Sequence, residues 1–311
     1  MGSLEVLDGG LLTTIQDGGR FGYRQYGVPV SGAMDDYAYR LANQLVGNAS
    51  DLPVLEMTLN GGRYRFNSDA VIAITGADML PKINGEDISL NTSLEIKSGD
   101  IISFDYCQTG CRSYLAIRGQ LDIKEVLGSC STYLTGKFGG FEGRALKEGD
   151  VLSWTESEGS SIPERVPEDR FPYYSSKVEL RILEGPEWSW LSQHQKEQFL
   201  NTEFDVSPDS NRMGIRLKGD SIKPIDHQMV SGPVIPGTIQ LPESGRPIII
   251  MKDGQAVGGY PRIAKIADAD LWRAGQLWSG VQLTFRKINR EEANKLSAFQ
   301  KNLLYNQRVI D

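Results

Sequence analysis

The chain has 311 residues, 40% of them hydrophobic and 23% charged, which is the balance of an ordinary globular protein. That length exceeds what one core ordinarily supports, so two packed domains are expected, with one large all-β domain as the alternative. The formal net charge of −7 is spread along the chain without a basic arm, which argues against nucleic acid or an anionic membrane as a partner.

The opening residues Met1-Gly2-Ser3-Leu4-Glu5 carry no basic region ahead of an apolar run. No stretch approaches the ~20 apolar residues of a membrane span, so a cytoplasmic protein is expected. Val6 stands where a myristoylation start needs Ser or Thr.

The first dense feature is Thr13 to Asp35, where Gly18, Gly19, Gly22 and Gly27 alternate with Asp17, Arg20, Tyr23 and Arg24. Such a loop suits close approach of backbone to a ligand, with Asp17 and Arg20 orienting it. Composition alone favours a solvated loop with a structural Asp17–Arg20 pair, since glycine-rich loops in β proteins are usually turns. Within Ser31 to Gly47, Ala38, Leu41, Ala42 and Leu45 fall at helical spacing behind Asp35 and Asp36, predicting a helix.

Leu55 to Leu59 alternates apolar and polar residues as a strand covered on one face, whereas Ala70 to Ile74 is continuously apolar and predicts a strand covered on both. Asn84-Gly85 is a type I′ hairpin signal. Lys97-Ser98-Gly99-Asp100-Ile101-Ile102-Ser103-Phe104 is echoed by Lys147-Glu148-Gly149-Asp150-Val151-Leu152-Ser153-Trp154, too short for a solenoid repeat but consistent with one kind of turn used twice. Cys107, Cys111 and Cys130 are odd in number and lack a second pair or clustered histidines, the only two being His194 and His227. Free thiols in a reducing compartment, and no structural metal, are expected. Gly136 to Arg144 reads either as a flexible anion cradle or as a hairpin tip.

Between Thr155 and Lys177 the alternation gives way to Glu156, Gly159, Ser160, Ser161, Pro163, Pro167 and Pro172, a linker composition. The domains are therefore expected at residues 1–165 and 173–290, followed by a C-terminal helix over 291–311, each domain many-stranded and barrel-like or sandwich-like. In the second, Val178 to Ile182, Pro247 to Met251 and Val281 to Phe285 predict strands, and Trp188 to Leu200, Asp268 to Arg273 and Glu291 to Leu304 predict helices. Leu296, Phe299 and Leu303 form a narrow terminal stripe that docks on its own domain or on a partner. Asp209 to Gly214, Lys252 to Gln255 and Gly258 to Arg262 flank the strands, where ligands tend to sit.

Familiar catalytic and nucleotide motifs are missing. Gly136-Lys137 is followed by Phe138 and lacks a Walker A loop, no Gly-x-Gly-x-x-Gly follows a strand, and neither Gly-x-Ser-x-Gly nor His-Glu-x-x-His occurs.

Six ordered stretches carry a resemblance: Thr14 to Arg20, Gly27 to Asp35, Leu41 to Asn48, Thr75 to Asp78, Ser210 to Gly214 and Gly258 to Pro261. Over about Leu4 to Phe285 the chain resembles the allophanate hydrolase subunit 2 family of biotin-dependent carboxyltransferase-like proteins, and within it the 5-oxoprolinase (KipA-type) branch. The resemblance implies a mainly β fold of two cyclophilin-like β-barrel domains with a few short helices. It also implies assembly with a B-type (KipI-like) subunit and an A-type subunit of 5-oxoprolinase, opening 5-oxo-L-proline to L-glutamate with ATP. Two other roles in the family are a carboxyltransferase component of a urea carboxylase-like system and antagonism of a B-like histidine-kinase inhibitor. The chain has no Ala-Met-Lys-Met segment, so no biotin is expected on it, and Ala256 stands where the family pattern has threonine. By motif position and residue type, Arg212, Lys252 and Arg262, with Arg20, are the candidates for substrate or phosphate binding, and Asp17, Asp78 and Tyr260 for orienting or proton handling.

Overall fold

The computed structural model describes residues 1–155, 167–223 and 229–305. Contacts divide the chain into two units, Met1–Phe21 with Ser31–Tyr174, and Gly22–Val30 with Ser175–Asp311. The second unit thus borrows nine residues from the glycine-rich stretch near the N-terminus. Most of the proposed linker, 156–166, lies outside the described residues.

In the first unit the alternating strands pair into two antiparallel sheets. One runs Gln120–Leu121, Val151–Thr155, Gly2–Asp8, Arg63–Phe66, Ile101–Ser103, Lys82–Ile83 and Glu86–Asp87. The other runs Thr13–Gln16, Val54–Thr58, Thr109–Ile117, Ala70–Asp78 and Ser93–Ile96. Period-two patterning decides which side chains meet between them: Leu4, Val6, Tyr64 and Phe66 from the first join Ile72, Ile74, Leu115 and Ile117 from the second in one core. The apolar run at Ala70 is covered on its other face by the helix Asp36–Leu45, and Thr75 donates its hydroxyl to the Ala38 carbonyl at 2.7 Å. Asp35 caps that helix by accepting from the Ala38 amide at 2.9 Å.

The turn chemistry behaves as read. Asn84 and Gly85 adopt φ of 52° and 89° between strands paired Ile83 to Glu86. The two echoed segments form the same turn: Lys97 N–H donates to the Asp100 carboxylate at 2.7 Å and Lys147 N–H to that of Asp150 at 2.9 Å, each with the glycine at positive φ.

The second unit is a closed seven-strand barrel in the order Lys177–Glu184, Arg262–Ile266, Thr238–Gln240, Ile248–Ile250, Gly214–Lys218, Phe204–Val206 and Gln282–Lys287. The ring closes through a parallel pairing of its first and last strands. Phe199 stacks on Phe285 at 4.8 Å between ring centroids and packs against Phe204 and Trp188, filling one end. Outside the ring, Gly232–Pro233 and Val257–Gly258 form a two-stranded ribbon.

The helix expected over Trp188 to Leu200 is broken. A 3₁₀ turn at Trp188–Trp190 precedes a helix Gln193–Asn201, because Ser192 and Gln195 form a reciprocal capping box that starts the helix afresh. The last helix, Arg290–Tyr305, docks on its own unit through Ala293 and Leu296 against Ala267 and Ile288, while Phe299 is exposed. No described helix is long and apolar enough to cross a membrane.

Candidate functional site

Register builds the site on the barrel of the second unit. Arg216 stands opposite Ile248, and Ile248 opposite Gln240, on three adjacent strands. Directly opposed residues share a face. Their neighbours Ile215, Leu217, Ile239 and Ile249 are all buried, so this row lies on the outer face.

Although outside the ring, Gln240 is only 1% exposed. Its Nε2 donates to the Tyr260 carbonyl at 3.2 Å, and it lies flat against Gly258, where a Cβ would fall 2.5 Å from Nε2. Gly258 is therefore required by close approach. Above the row opens a cleft of about 540 Å³ whose lining includes Asn211, Met213, Arg216, Gln240, Gln255 and Tyr260.

The loops that hold the cleft are fastened by arginines. Arg262 donates to Pro233 O at 2.8 Å, and Arg24, from the borrowed segment, donates to Gln255 O at 3.1 Å and to Val234 O. Burial lowers the pKa of the Arg24 guanidinium.

Two of the predicted anion binders meet carboxylates of their own chain. Arg212, 5% exposed, makes a two-pronged contact with the buried Asp253 at 2.8 and 3.2 Å. Arg262 grips Glu187 at 2.7 and 2.9 Å. Burial works against the Glu187 carboxylate, but the hydrogen bonds and charge of Arg262 outweigh it and hold its pKa below the usual range. Lys252, between Arg212's partner and the barrel, is half-buried and forms no ion pair among the described residues. Tyr260 is 46% exposed in the cleft wall.

The other three predicted residues lie in the first unit. Asp17 is buried, and its carboxylate accepts from Gly19 N at 2.8 Å, Cys130 N at 2.6 Å, and the hydroxyls of Ser129 and Ser131. Arg20 is wholly buried, donates to Ser131 O at 2.6 Å, and lies over the Phe138 ring. Both side chains therefore organise the 129–131 segment. Asp78 accepts from Leu80 N at 2.9 Å, an Asx turn that closes its strand. The Gly136 to Arg144 loop is tightly packed: a Cβ on Gly140 would meet Thr132 Oγ1 at 1.8 Å, and its amide already donates to Cys130 O. That amide is not offered to an anion.

Sequence reasoning missed Gln240 and Arg216. Both stand within strands, where polar residues read as solvated faces, and their meaning appears only with the register. It also missed a buried network in the first unit, in which Glu56 accepts from Tyr114 Oη at 2.9 Å and from Met34 N at 2.8 Å.

The carboxyltransferase domain family, subdomains A and B, matches residues 26–287. The chain is 38% identical to the C-type subunit of 5-oxoprolinase from Escherichia coli (strain K12), covering 94% of this chain and 93% of that protein. It is 36% identical to the urea amidolyase of Lachancea kluyveri over 96% of its own length and 18% of the relative's. Among solved structures, Kluyveromyces lactis urea carboxylase superposes with a TM-score of 0.93 at 36% identity, over 98% of this chain and 29% of that one. TTHA0988 superposes at 0.82 and 32%, over 92% and 55%. The chain spans almost the whole of the Escherichia coli protein and from about a fifth to about half of the other three.

Proposed function

This chain belongs to the carboxyltransferase domain family of subdomains A and B, and from that premise we propose that it is the C-type subunit of an ATP-dependent 5-oxoprolinase that opens 5-oxo-L-proline to L-glutamate. The observation that carries this reading is the two-way coverage: 94% of this chain aligns with 93% of a relative named as the C-type subunit of 5-oxoprolinase. In this reading the chain works with an A-type and a B-type subunit in the cytoplasm.

The lactam is stable, so ATP serves the complex by phosphorylating the lactam oxygen. Water then adds at the activated carbon, the C–N bond breaks as the nitrogen takes a proton and leaves an acyl phosphate, and a second water hydrolyses that acyl phosphate to carboxylate and phosphate. Cations near phosphate and a proton-handling group near nitrogen are required. In this chain Lys252 is the candidate for the first role and Tyr260 for the second. The carboxylates already on Arg212 and Arg262 make those two positioning residues for the same loops.

A second reading is supported by the 36% identity to urea amidolyase over 96% of this chain: a carboxyltransferase component working with a biotin-bearing chain. Measuring 5-oxoproline-dependent ADP release by this chain with and without A-type and B-type subunits separates the two. ADP and glutamate formed only by the full set supports the first reading. Absence of both, with carboxyl transfer to urea from a carboxybiotin carrier, replaces it by the second.

A further inference from the structure

Gln240 is polar, nearly fully buried, and fixed in orientation. The Tyr260 carbonyl can only accept, so the amide nitrogen of Gln240 must face it. Its Oε1 therefore points the other way, and it accepts no hydrogen bond among the described residues. Gln240 lines the cleft, so this carboxamide oxygen is the acceptor that the cleft offers to a ligand N–H. Along the same register row, two strand spacings or about 10 Å away, stands Arg216, an exposed cation on the cleft wall that forms no ion pair among the described residues. Ile248, Ile250 and Met213 line the space with apolar atoms. Glu243 is the one carboxylate in the lining, so the site carries one charge of each sign and does not favour a ligand with two negative charges.

We infer that this cleft binds a neutral amide N–H through Gln240 Oε1 and a single carboxylate through Arg216, which makes these two residues the specificity determinants for a carboxylate-bearing cyclic amide. The inference rests on the 5-oxoprolinase reading for the identity of that ligand. The arrangement accounts for Gly258, whose missing side chain lets the carboxamide lie flat. Ring opening creates a second carboxylate in a lining that holds one cation and the carboxylate of Glu243, so the product is favoured less than the substrate.

The test is binding to the full chain, followed by NMR shifts of the cleft residues, with 5-oxoproline, 2-pyrrolidone and N-methyl-2-pyrrolidone as probes. 2-Pyrrolidone lacks the carboxylate, and the N-methyl compound lacks the N–H as well. Arg216→Ala is expected to weaken 5-oxoproline about tenfold or more and 2-pyrrolidone hardly at all. Gln240→Leu is expected to weaken both, and the N-methyl compound is expected not to bind the native chain, a comparison that needs no variant to fold. Equal binding of the two pyrrolidones, or an Arg216→Ala loss shared by both ligands, or no binding to the native chain, overturns the inference. ADP release by the assembled complex is followed in parallel. Unchanged turnover with both variants overturns the cleft assignment and leaves the 5-oxoprolinase reading standing, whereas a native complex without turnover overturns that reading while the binding comparison still decides the inference.

Discussion

Arg24 and Gln255 are 231 residues apart in sequence, yet the guanidinium of Arg24 donates to the Gln255 carbonyl at 3.1 Å. The segment Gly22–Val30 thereby belongs to the barrel that carries the cleft, and the same guanidinium also holds Val234 O.

Removing that clamp frees the ribbon before it unfolds the barrel. Arg24→Ala is expected to cost about 1.5–3 kcal/mol, the range for charge-assisted hydrogen bonds, and most of it locally. Hydrogen exchange should speed up at Val234 and at the ribbon amides, with the barrel strand Ile248–Ile250 unaffected. Uniform acceleration across the unit, or none at all, would contradict the clamp.

Lys252 and Arg262 separate cleanly by stability. Arg262→Ala leaves the carboxylate of Glu187, 7% exposed, without its partner, at a cost of about 3 kcal/mol. Lys252→Ala breaks no ion pair and is expected within about 0.5 kcal/mol of the parent. Because Arg262 lowers the Glu187 pKa, the stabilisation is present above the unfolded value of about 4.3 and is lost as pH falls through the lower folded value. Melting curves of parent and Arg262→Ala should therefore converge below about pH 4. A gap that stays constant down to pH 2 would assign the loss to packing instead.

These two residues also show what a sequence discloses. Strand Ala70–Asp78, the Asn84-Gly85 hairpin and the helix Asp36–Leu45 were legible because their signals are local: an apolar run, a dipeptide, a spacing of three and four. Arg212 and Arg262 looked like free anion binders because their carboxylates, Asp253 and Glu187, come from 41 and 75 residues away. Arg216 and Gln240 looked like ordinary strand residues, since nothing local reveals that both oppose Ile248. Closure of the barrel by parallel pairing of Lys177–Glu184 with Gln282–Lys287 is likewise a long-range choice that no window of sequence contains.

The thiols are expected to be inert in the folded chain. Burial pushes Cys107 up to about 11 and Cys130 up to about 12, with Asp17 adding to the rise at Cys130, and burial raises Cys111 as well. Alkylation requires the thiolate, so at pH 8 iodoacetamide should modify the native chain far more slowly than the unfolded one. Mass spectrometry with and without denaturant reads this, and rapid native labelling at Cys130 would show that the 129–131 segment opens.

That segment is also where the role of Asp17 is decided. Its Oδ1 accepts from Gly19 N, Ser129 Oγ and Ser131 Oγ, while Oδ2 accepts from Cys130 N. In Asp17→Asn the new amide group must face an N–H or hydroxyl donor whichever way it turns, placing two donors against each other in a buried site. The cost is therefore expected to match that of Asp17→Ala, about 2 kcal/mol or more in both. An organiser of this kind predicts that turnover of the assembled enzyme falls only in proportion to the folded fraction, measured by melting with the buried Trp154 as reporter. If Asp17→Asn instead melts like the parent and abolishes turnover, its carboxylate acts in the chemistry, and the first unit rather than the cleft of the second holds the reacting atoms.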